Sequence, residues 1–250
     1  MSKWLLVPIM CAAATAMPGA VVSFTDGFEG ASIDPFWQVT QDYGTVSTSA
    51  DLAFSGTQSA KFASISGGQR GMRLTHDFGE AMYGIVSVRF YDYAPGQETL
   101  YEFLRLYTVN AFGENFVGAA DYDAFCYQAG LVPSGPNQSC GIYPGTYTTN
   151  TARTAGWRLF EIDASSTAIS ISIDGSQVFT QAGDFPFRYV DLAVSGPFWR
   201  PNTLVYWDDF QVNAESAAIP EPSAAVLVGC GLLILGLRRP NEGRKGCRRG

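Results

Sequence analysis

Charged and aromatic side chains recur two residues apart in several segments whose hydrophobic residues alternate. That spacing puts both members of a pair on one face of a β-strand, opposite the aliphatic residues. The pairs are Arg89 with Tyr91, Arg105 with Tyr107, Tyr189 with Asp191, and Trp207 with Asp209. Aromatic rings beside polar groups on a sheet face can hold sugar rings. We therefore predict a ligand site of Arg89, Tyr91, Arg105, Tyr107 and Trp207; ordinary cross-strand pairing of aromatic residues is the alternative.

Two cysteines, Cys126 and Cys140, lie away from both ends of the chain, 14 residues apart in a stretch rich in Gly, Pro and Ser. In an oxidising compartment they are expected to form a disulfide that closes a surface loop, and two free thiols are the alternative. A zinc site is disfavoured because two thiols do not complete one and the single histidine, His76, lies 50 residues upstream.

Alternating hydrophobicity, rather than a helical period, dominates residues 80–213. Six segments show it, each bounded by Gly, Pro, Asn or Asp: residues 85–92, 101–109, 157–163, 168–174, 188–194 and 203–212. Together with three shorter polar segments before them, they predict about nine to twelve strands in an all-β antiparallel sandwich. Residues 110–153, which hold both cysteines, are expected to form a long loop or hairpin.

The first 20 residues have the layout of a secretory signal peptide. Lys3 precedes an apolar run from Trp4 to Ala14, and small residues at Ala16 and Ala20 offer two cleavage positions. A buried N-terminal helix is the alternative, but no cap or amphipathic period accompanies the run. The sequence therefore predicts an exported protein.

The charge of the chain is divided between an acidic body and a basic tail. Six of the 16 basic residues lie in the last 13 positions, and residues 21–218 carry nine Lys or Arg against 21 Asp or Glu. Such a body repels phosphate backbones, so nucleic acid is not expected as a partner.

Two stretches of the body resemble a known fold family. GWRLFEIDASSTAISISIDGSQVFT, residues 156–180, and VYWDDFQV, residues 205–212, resemble the concanavalin A-like and laminin-G-like jelly rolls, and DGFEG with DPFW in residues 26–37 resembles their first strand. The resemblance implies an antiparallel jelly-roll β-sandwich over residues 21–213. In similar modules a structural calcium ion ties the first strand to the last, which implies Asp26, Glu29 and Asp209 as ligands here. Because successive residues of a strand point to opposite faces, at most one of Asp208 and Asp209 is expected to point inward. The alternative to a calcium site is that the two acids protect an edge strand from pairing with another chain.

The same resemblance bears on catalysis. Glucan hydrolases of this fold family carry paired glutamates bracketing an aspartate on one strand, because retaining hydrolysis needs a nucleophile and an acid/base about 5 Å apart. Glu161 and Asp163 begin such a pattern, but Ser165 and Ser166 stand where the third carboxylate belongs. We therefore predict solvent-facing roles for Glu161 and Asp163, no catalytic residues and no enzyme activity. His76 is expected at the surface, since no GxSxG context supports a catalytic triad.

The C-terminal 32 residues combine a Pro-Glu-Pro motif, a short apolar run and a basic tail. Pro220, Glu221, Pro222 and Ser223 precede 14 apolar residues, Ala224 to Leu237. As a helix this run is about 21 Å long, against about 30 Å of bilayer hydrocarbon. The arrangement resembles the PEP-CTERM sorting signal of exopolysaccharide-producing Gram-negative bacteria, whose exosortase, a membrane protease, removes the tail. A plain tail anchor is the alternative.

The sequence thus predicts five segments: a signal peptide (1–20), a jelly-roll sandwich (21–213), a linker with the sorting motif (214–223), a short transmembrane helix (224–237) and a basic cytoplasmic tail (238–250). We expect export, passage through the inner membrane and sorting by an exosortase to the cell surface or extracellular matrix. The predicted function is non-enzymatic binding or structuring of extracellular polysaccharide. The alternative is a carbohydrate-active enzyme, a glycoside hydrolase or lyase, of the concanavalin A-like fold.

Overall fold

A computed structural model describes residues 20–42, 44–64, 71–93, 101–108, 116–120, 126–132, 146–152, 154–195 and 204–217. They belong to one compact unit, Gly19–Ala217. The predicted signal peptide up to residue 19, the sorting motif and the C-terminal helix lie outside these ranges. Within the ranges, no helix is long and apolar enough to cross a membrane.

The described residues form 14 strands and no helix, which confirms the all-β prediction. The strands are β1 (Val21–Asp26), β2 (Gln38–Gln41), β3 (Gly44–Ser49), β4 (Ser59–Ser64), β5 (Met72–Asp92), β6 (Tyr101–Tyr107), β7 (Phe116–Ala120), β8 (Cys126–Val132), β9 (Thr146–Ala152), β10 (Gly156–Ala164), β11 (Ala168–Ile173), β12 (Ser176–Ala182), β13 (Phe187–Ser195) and β14 (Leu204–Ser216). Each of the six segments predicted from alternation overlaps a strand.

Strand β5, 21 residues long, joins two layers of an antiparallel network. Residues 72–77 pair with β2 and β13, and β6, β7, β8 and β9 follow β13 in order; we call this layer the front sheet. Residues 82–92 pair with β10 and β14, and β11 and β12 follow β10 while β1 and β4 flank β14; we call this layer the back sheet. One of the short polar segments and the alternating segment 85–92 thus belong to a single strand, in which Gly79 has a φ of 79°.

The inner faces of the two sheets meet in one hydrophobic core. Leu74, Leu104 and Leu192 line it from the front sheet, and Val86, Phe160 and Trp207 line it from the back sheet, all fully buried. Because alternate residues of a strand point to opposite faces, the remaining positions form two outer faces on opposite sides of the sandwich. Any ligand site on a sheet therefore belongs to one outer face or the other.

Residues 110–153 contribute strands β7, β8 and β9, where the sequence predicts a loop or hairpin. Their sequences, FVGAA, CYQAGLV and TYTTNTA, are rich in Gly, Ala and Thr, so the contrast in hydrophobicity between their faces is small. Cys126 begins β8 opposite Ala152, and Cys140 lies outside the described residues. The disulfide therefore stays a prediction.

Gly84 is required where β5 passes β14. Its φ is 150°, and a Cβ atom placed on it lies 2.2 Å from the carbonyl oxygen of Asn213. We expect Gly84→Ala to lower the free energy of unfolding by about 2–5 kcal/mol, from backbone strain and overpacking together. Gly156→Ala is the matched control, since Gly156 has a φ of 122° and open space around it. Urea denaturation should show the smaller loss for Gly156→Ala, and equal losses would contradict the steric argument.

Candidate functional site

The five predicted ligand residues do not form one surface. Arg105 and Tyr107 lie on the outer face of the front sheet, in register with Asp191 and Tyr189. Arg89 and Tyr91 lie on the outer face of the back sheet, opposite Leu159 and Trp157.

Trp207 does not lie on an outer face, as the predicted ligand site requires. It is fully buried in the core and packs on Phe90 with ring centroids 5.8 Å apart. Tyr206 and Asp208 occupy the other face of β14. Because both faces of this strand carry apolar residues, the sequence does not show which face points into the core.

The front face holds a charged row across three strands. Thr75 of β5, Asp191 of β13 and Arg105 of β6 are directly opposite one another. Asp191 is fully buried; its Oδ2 forms an ion pair with the guanidinium of Arg105, and its Oδ1 accepts a hydrogen bond of 2.9 Å from the Thr75 hydroxyl. A buried carboxylate needs such partners, because its desolvation costs several kcal/mol. The row therefore fixes the position of Arg105.

A stacked pair of tyrosines lies next to this row. The rings of Tyr107 and Tyr189 are 5.0 Å apart and nearly parallel, and Tyr107 is also hydrogen-bonded to Thr75. Burial, and after it the charge of Asp191, raises the pKa of Tyr107, so its hydroxyl stays protonated. Tyr189 is half-buried, and the guanidinium of Arg188 lies 5.3 Å from the centre of its ring. We call Thr75, Arg105, Tyr107, Tyr189 and Asp191 the front cluster.

Asp77 marks one end of the front face, opposite Tyr189. Its carboxylate accepts hydrogen bonds of 2.7 and 2.9 Å from Arg188, and these lower its pKa to about 2. Asp77 is therefore ionised at neutral pH and is a poor proton donor. Asp77 is thus not set up as the general acid that glycoside hydrolysis needs.

The Asp77–Arg188 pair predicts a specific pH dependence. Because the pKa in the folded protein lies below the ordinary value of 3.8, the pair stabilises the fold above about pH 4 and loses this effect as the pH falls towards 2. Both side chains are 41% exposed, so we expect only about 1 kcal/mol. In urea denaturation, the stability difference between wild type and Asp77→Asn should shrink from pH 6 to pH 2. A difference that stays constant over this range would contradict this account.

The outer face of the back sheet carries an aromatic cluster. Trp157 packs edge-on against Tyr91 and Phe54, at ring-centroid distances of 5.5 and 6.0 Å. The guanidinium of Arg89 lies 3.8 Å from the centre of the Phe54 ring. Phe54 is 44% exposed although its neighbours are half-buried. These contacts pair Arg89 and Tyr91 with back-sheet residues rather than with the front cluster.

Two carboxylates of β14 hold the loop that presents Phe54. Asp208, fully buried, accepts hydrogen bonds of 2.7 and 3.1 Å from the backbone N–H groups of Phe54 and Ser55. Asp209 accepts a bond of 2.6 Å from the Ser55 hydroxyl. Asp209 has a φ of 47° at a bulge in β14, which lets both carboxylates reach the loop. The parity prediction of opposite faces is therefore wrong.

Glu29 and Asp26, the other predicted calcium ligands, have separate partners. Glu29 accepts hydrogen bonds of 2.9 Å from the backbone N–H groups of both Thr57 and Gln58, which lower its pKa. Asp26 accepts from the N–H of Phe28 and from the Trp37 indole, at 2.7 and 2.9 Å. Where side chains are described, no three His, Cys, Asp or Glu residues group to hold a metal. The calcium site stays a prediction from the sequence.

Three further residues from the sequence analysis have clear positions. Glu161 and Asp163 lie on the outer face of β10. Glu161 is half-buried and Asp163 is exposed, in agreement with the predicted solvent-facing roles. His76 is not a free surface residue: its ring stacks on Phe36 at 3.6 Å and its Nδ1 lies 2.7 Å from the Phe36 carbonyl oxygen. Its position opposite Val190 turns it to the inner face of the front sheet.

Comparison with known proteins finds similarity in structure rather than in sequence. No protein-family model matches the chain, and no curated protein does. The laminarinase catalytic domain from Thermotoga maritima is 13% identical, with a TM-score of 0.52 over 81% of this chain and 100% of that one. A glycoside hydrolase family 16 endo-glucanase from Bacteroides ovatus is 11% identical, with a TM-score of 0.54 over 76% and 99%. The endo-β-1,3-glucanase from Pyrococcus furiosus is 14% identical, with a TM-score of 0.51 over 78% and 94%.

These similarities confirm the jelly-roll fold and correct one prediction. We predicted a body without enzyme activity, and this prediction is contradicted because the solved structures that share its fold are in large part glycoside hydrolases, including the three glucanases above. At such identities the comparison shows the fold and not the activity of this chain. The body has the concanavalin A-like jelly-roll fold of the family 16 glycoside hydrolases.

Proposed function

We propose that the body is a carbohydrate-active enzyme whose polysaccharide substrate lies along the outer face of the front sheet. The observation that supports this most is the front cluster, in which a fully buried carboxylate fixes an arginine beside stacked tyrosines on a face turned away from the core. Buried charge has no packing role on such a face, whereas fixed polar groups beside aromatic rings suit sugar recognition.

Within this proposal the front cluster binds and orients the substrate. Arg105 donates hydrogen bonds to sugar oxygens, and Tyr189 offers part of its ring to a sugar face. Asp191 is a positioning residue, since it is fully buried and acts through Arg105. We assign no catalytic residue among the described residues.

The test is release or transfer of reducing ends from a polysaccharide panel. The panel starts with β-1,3-glucan, the polymer named in the description of the Pyrococcus furiosus enzyme, and continues with mixed-linkage glucan and acidic polysaccharides. We expect Tyr189→Ala to lower activity at least about tenfold and Trp157→Ala, an aromatic change on the opposite face, to leave it near wild type. Melting curves check that both variants fold, and Tyr189→Leu replaces Tyr189→Ala if that variant does not. No turnover of any panel member, or a loss confined to Trp157→Ala, would overturn the proposal.

We propose separately that the chain is exported and that its C-terminal segment is a sorting signal. Support comes from the sequence: the signal-peptide layout, and the Pro-Glu-Pro motif before an apolar run and a basic tail. In a host with an exosortase, mature protein should end near residue 222, and Glu221→Ala should leave a full-length, membrane-retained form. Equal recovery of the intact tail from wild type and variant would leave a simple membrane anchor instead.

A further inference from the structure

Glu29, in the segment that follows β1, binds the loop between β3 and β4 through several hydrogen bonds. Its Oε1 accepts the backbone N–H groups of Thr57 and Gln58, at 2.9 Å each, and its Oε2 accepts the Thr57 hydroxyl at 2.8 Å. The backbone carbonyl oxygen of Glu29 accepts the side-chain amide of Gln58 at 3.1 Å. Both carboxylate oxygens and the carbonyl oxygen of Glu29 therefore face donors of this loop.

Loop 54–58 thereby connects the chain after β1 to strand β14. Asp208 and Asp209 of β14 hold one end of the loop, and Glu29 holds the other. Between them, Gly56 has a φ of 60°, and a Cβ atom placed on it lies 2.3 Å from Oε1 of Glu29. A glycine lets the loop pass this close to the carboxylate. We call loop 54–58 and these three carboxylates the clasp.

The clasp makes the connection for which the fold resemblance implies a calcium ion. Calcium takes about six to eight oxygen ligands at about 2.3–2.6 Å. The implied ligands turn their oxygens to other groups: those of Glu29 face loop 54–58, and those of Asp26 accept hydrogen bonds from within residues 28–37. One oxygen of Asp209 lies 4.0 Å from the guanidinium of Arg89. The donor hydrogens and the guanidinium carry positive charge and repel a cation placed among the same oxygens, so these residues do not fit a calcium ion.

We propose that the clasp takes the place of the ion, so that N–H groups of loop 54–58, rather than calcium, join the first strand to the last. Backbone N–H groups that converge on a carboxylate offset its charge, as a bound cation does. Because these donors belong to the chain itself, the joint forms without metal and is not lost on chelation. The inference concerns the back of the sandwich and does not depend on what the front face binds.

The first experiment measures the melting temperature of the full chain in about 5 mM calcium chloride, in EDTA, and in sodium chloride of the same ionic strength, which controls for screening of the acidic body. We expect the three values to agree within about 1 °C. A rise of about 3 °C or more that is specific to calcium, and that Glu29→Gln abolishes, would overturn the inference. A calcium-specific rise that Glu29→Gln leaves unchanged means an ion held outside the clasp, and the inference then stands.

The second experiment tests the hydrogen bonds of Glu29. Glu29→Gln replaces one accepting oxygen by an amide and should lower the melting temperature by about 3 °C or more. Glu161→Gln, the same change on β10, is the matched control and should shift it by no more than about 1 °C. No loss in Glu29→Gln, or an equal loss in both variants, would contradict the clasp.

Hydrogen exchange tests the clasp without removing a charge. Gly56→Ala should displace the Glu29 carboxylate and speed exchange of the amides of Thr57 and Gln58. Gly175→Ala is the matched control, since Gly175 has a φ of 76° and open space around it, and it should leave these two amides unchanged. Equal exchange in the two glycine variants overturns the inference. If Glu29→Gln does not fold, this comparison and the effect of calcium and EDTA on the wild type decide.

Discussion

Replacing Asp191 with Ala is expected to lower the free energy of unfolding by about 3–5 kcal/mol, because it removes the fully buried ion-pair partner of Arg105, whose own side chain is only 14% exposed. The change also removes the acceptor of the Thr75 hydroxyl. Urea denaturation at neutral pH measures the loss. Asp163→Ala, which removes an exposed aspartate from the back sheet, should change stability by no more than about 0.5 kcal/mol. A loss below about 1 kcal/mol for Asp191→Ala would mean that the pair is open to solvent.

A double variant separates the charge effect from lost packing. The double variant Asp191→Leu with Arg105→Met removes both charges from the front face. Apolar replacement of a buried ion pair often leaves the stability of a protein unchanged or raises it. We therefore expect the double variant to be more stable than Asp191→Ala and to lose its affinity for polysaccharide. Recovery of stability together with unchanged binding would show that the pair is structural and has no part in recognition.

Replacing Asp208 with Ala is expected to cost about 2–4 kcal/mol, because three backbone N–H groups, those of Phe54, Ser55 and Asp209, donate to this carboxylate. The adjacent Asp209→Ala is the matched control. Asp209 is 28% exposed, accepts a hydrogen bond from the Ser55 hydroxyl and lies 4.0 Å from Arg89, so we expect a loss of about 1 kcal/mol or less.

Hydrogen exchange gives a second measurement of the same anchor. In Asp208→Ala, the amides of Phe54 and Ser55 should exchange faster while the strands of the front sheet keep their protection. Equal stability losses in the two aspartate variants, with no local change in exchange, would contradict the role of Asp208 as the anchor of this loop.

The strands could be predicted where one face is apolar and the other polar, as in residues 168–174. Prediction failed where this contrast is weak. In β14, Leu204, Val205, Tyr206 and Trp207 are large and partly apolar on both faces, so parity could not show that Trp207 points into the core. The bulge at Asp209 has no glycine to signal its positive φ. Strands β7 to β9 were not predicted, because their small residues give little contrast in hydrophobicity between the two faces.

The candidate site was predicted only in part, because strand order depends on contacts between distant residues. Arg89 and Arg105 have the same local pattern, yet β5 and β6 present them on opposite sides of the sandwich. Asp191 had a signal that the prediction did not use. It is an acid inside the apolar run YVDLAV, and acidic residues are almost never fully buried unless they are paired. Its partners Thr75 and Arg105 lie 116 and 86 residues away and could not be identified from spacing.

The central claim is that polysaccharide lies along the outer face of the front sheet, and hydrogen exchange of the full chain tests it most directly. Exchange is compared without ligand, with a β-1,3-linked glucose hexasaccharide and with a hexasaccharide of galacturonic acid. We predict that at least one of them slows exchange in peptides covering β6 and β13, while β10 to β12 are unchanged. Slower exchange confined to the back sheet or to the Phe54 loop, or no change with either saccharide, would contradict the claim.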